Sequence, residues 1–178
     1  MGIYKTALGL FVVCMIGAVD VFGQQLMHYT SERFEYSLQI PEHWKRNDQL
    51  KGGNLAMVLV SPEDASMSIS FYSLNNVGKD EFIDRYQQNL EKQLLGISIQ
   101  EKGVFKSRDD EATYLLLDYD KDGVRLREKH SFYERKGEIA VLVAGQQKEK
   151  FHELMPIIEQ VFESFTFETK QEKVDNLD

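Results

Sequence analysis

The chain has one cysteine in 178 residues, Cys14, alongside three prolines and one tryptophan. That cysteine lies within the uncharged run Thr6–Val19, so no thiol occurs from Gln24 onward. A domain built from the rest must be held by its hydrophobic core, without disulfides. Thiol catalysis, iron–sulfur ligation and Cys-based zinc sites are excluded there as well. Long apolar stretches are also missing. A membrane span needs about 20 apolar residues, and Asp20 ends the Thr6–Val19 run short of that. Positive charge is scarce: 21 Lys and Arg face 29 Asp and Glu, for a net charge of −8. Nucleic acid, which demands a basic face, is therefore not an expected partner. Anionic membrane surfaces are disfavoured on the same ground, and solubility is the simpler account of the charge.

Several catalytic signatures are absent too. There is no Gly-x-Ser-x-Gly elbow, no His-Glu-x-x-His and no phosphate-binding glycine loop, since Gly52-Gly53 lacks a following Lys and helix. The four histidines, His28, His43, His130 and His152, have no i, i+4 partner among them and read as surface or satisfied side chains. Ser66, Ser68, Ser70 and Ser73 alternate with apolar residues like the wet face of a strand. Asp109, Asp110 and Glu111, with Lys106 and Arg108, can be drawn as an acid/base cluster, but a solvated loop between strands is the plainer reading. No catalytic, cofactor or metal residue is assigned.

What is present begins with a leader. Lys5, the apolar run and small residues before a cut after Gly23 have the order of a secretory signal. A retained anchor is the alternative. Lipidation at Cys14 is disfavoured by Val13 before it and by the apolar residues that follow. Processing would leave about 155 residues, enough for one domain with a sizeable core.

Along that domain, Phe34, Tyr36, Leu38 and Ile40 alternate with polar residues, which predicts a half-buried strand from Arg33 to Ile40 closed by Pro41. Leu55–Val60 reads as a strand covered on both faces, and Met67–Leu74 as its neighbour. Phe82, Tyr86, Leu90 and Leu94 predict a helix of about 17 residues ending at Gly96. Strands follow over Ile97–Lys106, Ala112–Tyr119, Val124–Tyr133 and Ile139–Ala144, with turns at Asp122-Gly123 and Lys136-Gly137. A helix carrying Phe151, Leu154, Ile158, Val161 and Phe162 comes last, with Pro156 inside it as a potential kink. Ser164–Phe167 adds a short strand. The order predicts α+β: a six- to seven-stranded antiparallel sheet with helices on its faces.

The segment Phe34-Glu-Tyr-Ser-Leu-Gln-Ile-Pro-Glu-His-Trp44 resembles the first strand of the PsbP-like/Mog1 superfamily. The helix after Tyr72, the long meander and the closing Glu163-Ser-Phe-Thr-Phe167 fit that resemblance. It implies the superfamily's α/β/α sandwich, and members whose best-known roles are binding rather than catalysis. On this reading the chain divides into a signal peptide (1–23), an N-terminal linker (24–31), a PsbP-like domain (32–167) and a disordered charged tail (168–178). The expected role is a noncatalytic exported domain, periplasmic or secreted, with a protein or small ligand as partner, no nucleic acid and no lasting membrane anchor. Two alternatives stand beside it. One is a hydrolase assembled from scattered Asp, Glu and His. The other is a weak calcium site at Asp118-Tyr-Asp120-Lys-Asp122-Gly123, half of a calcium loop with Lys129 where the bidentate Glu belongs. Two aromatic groups are candidate contacts: Trp44 with His43 and Tyr36 beside the loop Lys45–Asn54, and Phe71, Tyr72, Tyr114 and Tyr119 on one sheet face. Core packing is the competing reading of both.

Overall fold

The computed structural model describes residues 25–47, 53–108 and 110–168. Residues 1–24, which hold the expected signal peptide, residues 48–52, Asp109 and residues 169–178 of the expected disordered tail lie outside the described residues. Strands β1 (Leu26–Ser31) and β2 (Tyr36–Pro41) pair with β10 (Thr166–Phe167) in a three-stranded sheet of order β1-β2-β10. The larger sheet takes β3 (Lys45–Arg46), β4 (Leu55–Val60), β5 (Ser66–Ser73), β6 (Leu95–Ser107), β7 (Asp110–Lys121), β8 (Val124–Arg135) and β9 (Glu138–Gln147). Its seven strands run in the order β3-β4-β5-β9-β8-β7-β6, all neighbours antiparallel. The expected α+β class and seven-stranded sheet are what the molecule has, with a second small sheet added.

The four-strand meander follows from turn chemistry. Asp122 and Gly123 have φ of 52° and 78°, and Lys136 and Gly137 repeat the pattern at 44° and 81°. Two residues with positive φ give the hairpin turn whose twist matches its strands. Register then runs unbroken from Thr113↔Phe132 to Lys121↔Val124 and from Leu126↔Gln147 to Arg135↔Glu138.

Helix α1 (Lys79–Gln93) covers one face of the large sheet, where Ile83 packs with Leu115, Phe132, Ile139 and Val141. Helix α2 (Phe151–Ser164) and the small sheet cover the other. There Leu154, Ile158, Val161 and Phe162 pack among Leu38, Ile69, Leu142 and Tyr133. Pro156 lies inside α2 without ending it.

Three expectations are corrected. Residues 24–31 are not a plain linker, because Leu26–Ser31 pairs along β2 from Leu26↔Pro41 to Ser31↔Tyr36. The first alternating strand starts at Tyr36 rather than Arg33, because Glu35 takes a φ of 50° in a turn. The first helix stops at Gln93, since Leu95 already pairs with Asp120 in β6.

The last turn of α2 carries no basic residue. Its carbonyls are met from the sheet instead. The buried Ser107 hydroxyl lies 3.2, 3.0 and 3.0 Å from the carbonyl oxygens of Phe162, Glu163 and Phe165, and the Tyr133 hydroxyl donates to Phe162 at 2.7 Å. Unmet buried acceptors cost about 1–3 kcal/mol. Ser107→Ala is expected to destabilise the protein by about that amount, read as a lower urea midpoint at unchanged m-value.

Candidate functional site

A strand buried on both faces sorts its side chains by parity, and β8 does so with polar residues. Glu128, His130 and Phe132 point toward α1, and Arg127, Lys129 and Tyr133 toward α2.

On the α1 side, Tyr119 donates to Glu128 Oε1 at 2.8 Å, and Glu128 Oε2 lies 2.8 Å from His130 Nε2. His130 Nδ1 lies 2.9 Å from the Tyr86 hydroxyl of α1. With Nε2 donating to the carboxylate and Nδ1 accepting from Tyr86, every group in the relay finds a partner. Burial pushes both phenols well above their usual range, so they remain hydrogen-bond donors. Burial pushes the Glu128 carboxyl up, yet the hydrogen bonds from His130 and Tyr119, with the charge of Lys121, outweigh it and hold the carboxyl below its usual range. His130 is therefore satisfied, as expected, but buried rather than on the surface. Tyr119 and Glu128 also line a cleft of about 350 Å³ beside the Asp122 turn, with Glu63, Asp64 and Lys121. Both His130 nitrogens are engaged, so the relay offers no free base to a substrate, and the scattered-carboxylate hydrolase gains no site from it.

On the α2 side, Asp118 meets Arg127 bidentately, with Nε at 2.6 Å and Nη2 at 3.0 Å, and Lys148 Nζ at 2.8 Å. Asp120 pairs with Arg125 at 2.9 Å, and Arg125 also donates to the Gly96 carbonyl at 2.8 Å. Asp122 sits in the hairpin turn. The three aspartates thus do not converge, and two of them are already neutralised by arginine. The calcium reading of Asp118, Asp120 and Asp122 is replaced by a hairpin turn flanked by ion pairs. Among the described residues no group of three or more His, Cys, Asp or Glu is placed to hold a metal ion.

Next along β8 is Lys129, 8% exposed, opposite Leu116 on β7 and the small Ala144 on β9. Its Nζ lies 4.9 Å from the centre of the Tyr114 ring and 5.3 Å from that of Phe105, close enough for cation–π attraction. No described residue hydrogen-bonds or ion-pairs with it. Gly103, paired with Tyr114, makes room for the phenol: a Cβ there would meet the Tyr114 ring at 2.7 Å. The Tyr114 hydroxyl in turn donates to Glu101. Lys129, Leu116, Phe105, Tyr114 and Glu101, with Met155, Glu159, Phe162 and Glu163 of α2, line an open cleft of about 270 Å³. It has apolar walls, one amine and three carboxylates. Burial pushes the Lys129 ammonium below the usual lysine range, against the opposing charges of Glu159, Glu101 and Glu163.

Both aromatic groups anticipated as contacts are taken apart by the fold. Trp44 and Tyr36 are core residues at 6% and 0% exposure, and only His43 faces solvent. Phe71 packs on the α2 side and its neighbour Tyr72 on the α1 side, because adjacent strand residues cannot share a face. Asp110 and Glu111 belong to β7 and Arg108 to a tight turn rather than to an open loop. The sequence reading missed Lys129 and the Glu128–His130 pair. The signal was there: i, i+2 spacing on a strand puts Glu128 and His130 on one face, and Lys129 on the other, inside apolar surroundings.

Asp118 makes the electrostatics testable. Burial pushes its carboxyl up, but the hydrogen bonds and charges of Arg127 and Lys148 prevail and hold it below the usual range. A depressed carboxyl stabilises the fold above its unfolded pKa, about 3.9, and that stabilisation is lost as pH falls through the lower folded value. Asp118→Asn is expected to lose about 2–4 kcal/mol near neutral pH. It should also show a shallower loss of stability than the wild type below about pH 4, measured by urea unfolding across pH.

No protein-family model matches the sequence, and no curated protein matches it either. Solved structures do resemble the fold. Cyanobacterial PsbP (CyanoP) from Synechocystis is 12% identical with a TM-score of 0.64, over 85% of this chain and 96% of that one. The Ran-binding protein Mog1p of Saccharomyces cerevisiae is 7% identical with a TM-score of 0.62, over 81% and 96%. LpqN, involved in cell envelope biogenesis of Mycobacterium tuberculosis, is 15% identical with a TM-score of 0.59, over 82% and 91%. At such identities the likeness concerns architecture, and on that ground the protein has the PsbP/Mog1 fold.

Proposed function

We propose that the protein is an exported, noncatalytic binding domain of the bacterial periplasm or cell envelope, and that it engages its ligand at the Lys129 cleft. One observation carries the reading of the site. Lys129 is a nearly buried amine with no polar partner among the described residues, and it opens on a cleft bounded by three aromatic rings and three carboxylates. Small-molecule sites are concave and carry placed polar groups that orient the ligand, and this cleft sets an amine and three carboxylates among aromatic and aliphatic side chains. The neighbouring charges of β8 are spent elsewhere: Arg127 on Asp118, and Glu128 and His130 on each other. The leader pattern of residues 1–23 supports export. A Ran-binding protein of the same fold supports binding, and a protein of that fold involved in cell envelope biogenesis supports the address, both as analogy.

Expression of the full chain in a bacterial host tests the address. Intact mass should give a periplasmic species beginning at Gln24, and an unprocessed cytoplasmic product would refute export. For the site, envelope extracts are passed over wild type and a Glu159→Lys variant whose melting curve is unchanged. Loss of the captured species with the variant is the expected result. Equal capture by both would remove the cleft as the contact.

A further inference from the structure

We propose that Lys129 is a nucleophilic amine that captures small neutral aldehydes by imine formation within the cleft between α2 and the β6–β8 end of the sheet. This deepens the reading of that cleft as the ligand site and rests on it. A lysine becomes nucleophilic when its surroundings disfavour the ammonium form. Here Lys129 is 8% exposed in a cleft it shares with Leu116 and Phe162, no described carboxylate is seated on the amine as a salt-bridge partner, and burial opposes the attraction of the Phe105 and Tyr114 rings for a cation. Desolvation outweighs the surrounding negative charge, leaving free amine more available than at an exposed lysine.

The reaction balances within the cleft. The Nζ lone pair attacks the carbonyl carbon and a C–N bond forms, while the carbonyl π pair moves to oxygen and takes a proton. Loss of water and of the remaining N–H proton then gives C=N. One amine and one aldehyde become one imine and one water, with no oxidant or reductant. Glu101, Glu159 and Glu163 line the same cleft, and solvent water carries the proton from nitrogen to the departing hydroxyl. The same carboxylates set the selectivity. They repel carbonyl compounds that carry an anionic group and leave neutral aldehydes unopposed. A volume of about 270 Å³ lies below the roughly 300–1,000 Å³ of drug-sized sites, which favours a small one.

The test uses the wild-type protein, so it does not depend on a variant that folds. Protein is incubated with benzaldehyde near neutral pH, trapped with sodium cyanoborohydride and digested, and occupancy is read lysine by lysine by mass spectrometry. Lys129 is therefore expected to be labelled several-fold above the exposed Lys121 and Lys136, and 4-formylbenzoate, which carries a carboxylate, to label it less. Labelling of Lys129 no greater than that of the exposed lysines would overturn the proposal. Benzyl alcohol, which cannot condense, separates the two readings through the methyl resonance of Met155. A shift there without labelling of Lys129 sinks the reactive amine and keeps the cleft as a site. Neither shift nor label sinks both.

Discussion

The attachment of the last turn of α2 to the sheet governs the rest of the structure. Helix ends leave carbonyls unmet, and here they are satisfied by hydroxyls of Ser107 and Tyr133 rather than by a basic side chain. Those two residues lie on β6 and β8, so the helix is tied across the meander as well as packed on it. The tie fixes Phe162 and Glu163 over β7 and so sets the width of the Lys129 cleft. It also sets where Phe165 leaves the helix, to pack against Tyr36 and Tyr133 at ring distances of 5.7 and 4.5 Å. From there β10 joins the small sheet. Without disulfides, this layered contact of helix, small sheet and large sheet carries the stability of the domain.

Most of the fold was legible because its elements have strong periods. The meander strands are long and apolar at their centres, and the turns Asp122-Gly123 and Lys136-Gly137 announce themselves by chemistry. Strand β1 was hidden because Met27, His28 and Thr30 are exposed and only Leu26, Tyr29 and Ser31 are half-buried. Its reason for being a strand is the backbone ladder to β2, which hydrophobic pattern does not encode. Glu35 hid the start of β2 for a related reason, since a left-handed non-glycine residue has little signature.

The site was harder to read, and the reason is physical. Charged residues on a strand suggest a wet face, and the run from Arg125 to His130 has that look. In the fold both faces of β8 are covered, so each charge needs its own solution. Glu128 and His130 meet each other, Arg127 meets Asp118, and Lys129 meets two aromatic rings. Sequence names the residues but not the cover laid over them. The cover comes from α1 and α2, tens of residues away in the chain.

The outer strand β6 has a consequence of another kind. It ends the large sheet with 13 residues, and its register with β7 slips twice, between Leu95 and Ser98 and between Ile99 and Glu101. A regular open edge is a template on which foreign strands can polymerise. The two slips interrupt the even spacing of donors and acceptors that such growth requires. Lys102 and Lys106 flank the exposed Val104 with charge on the remaining stretch. The border of the sheet is thereby guarded against fibrous self-stacking, and a long edge strand can be kept without a further strand to close it.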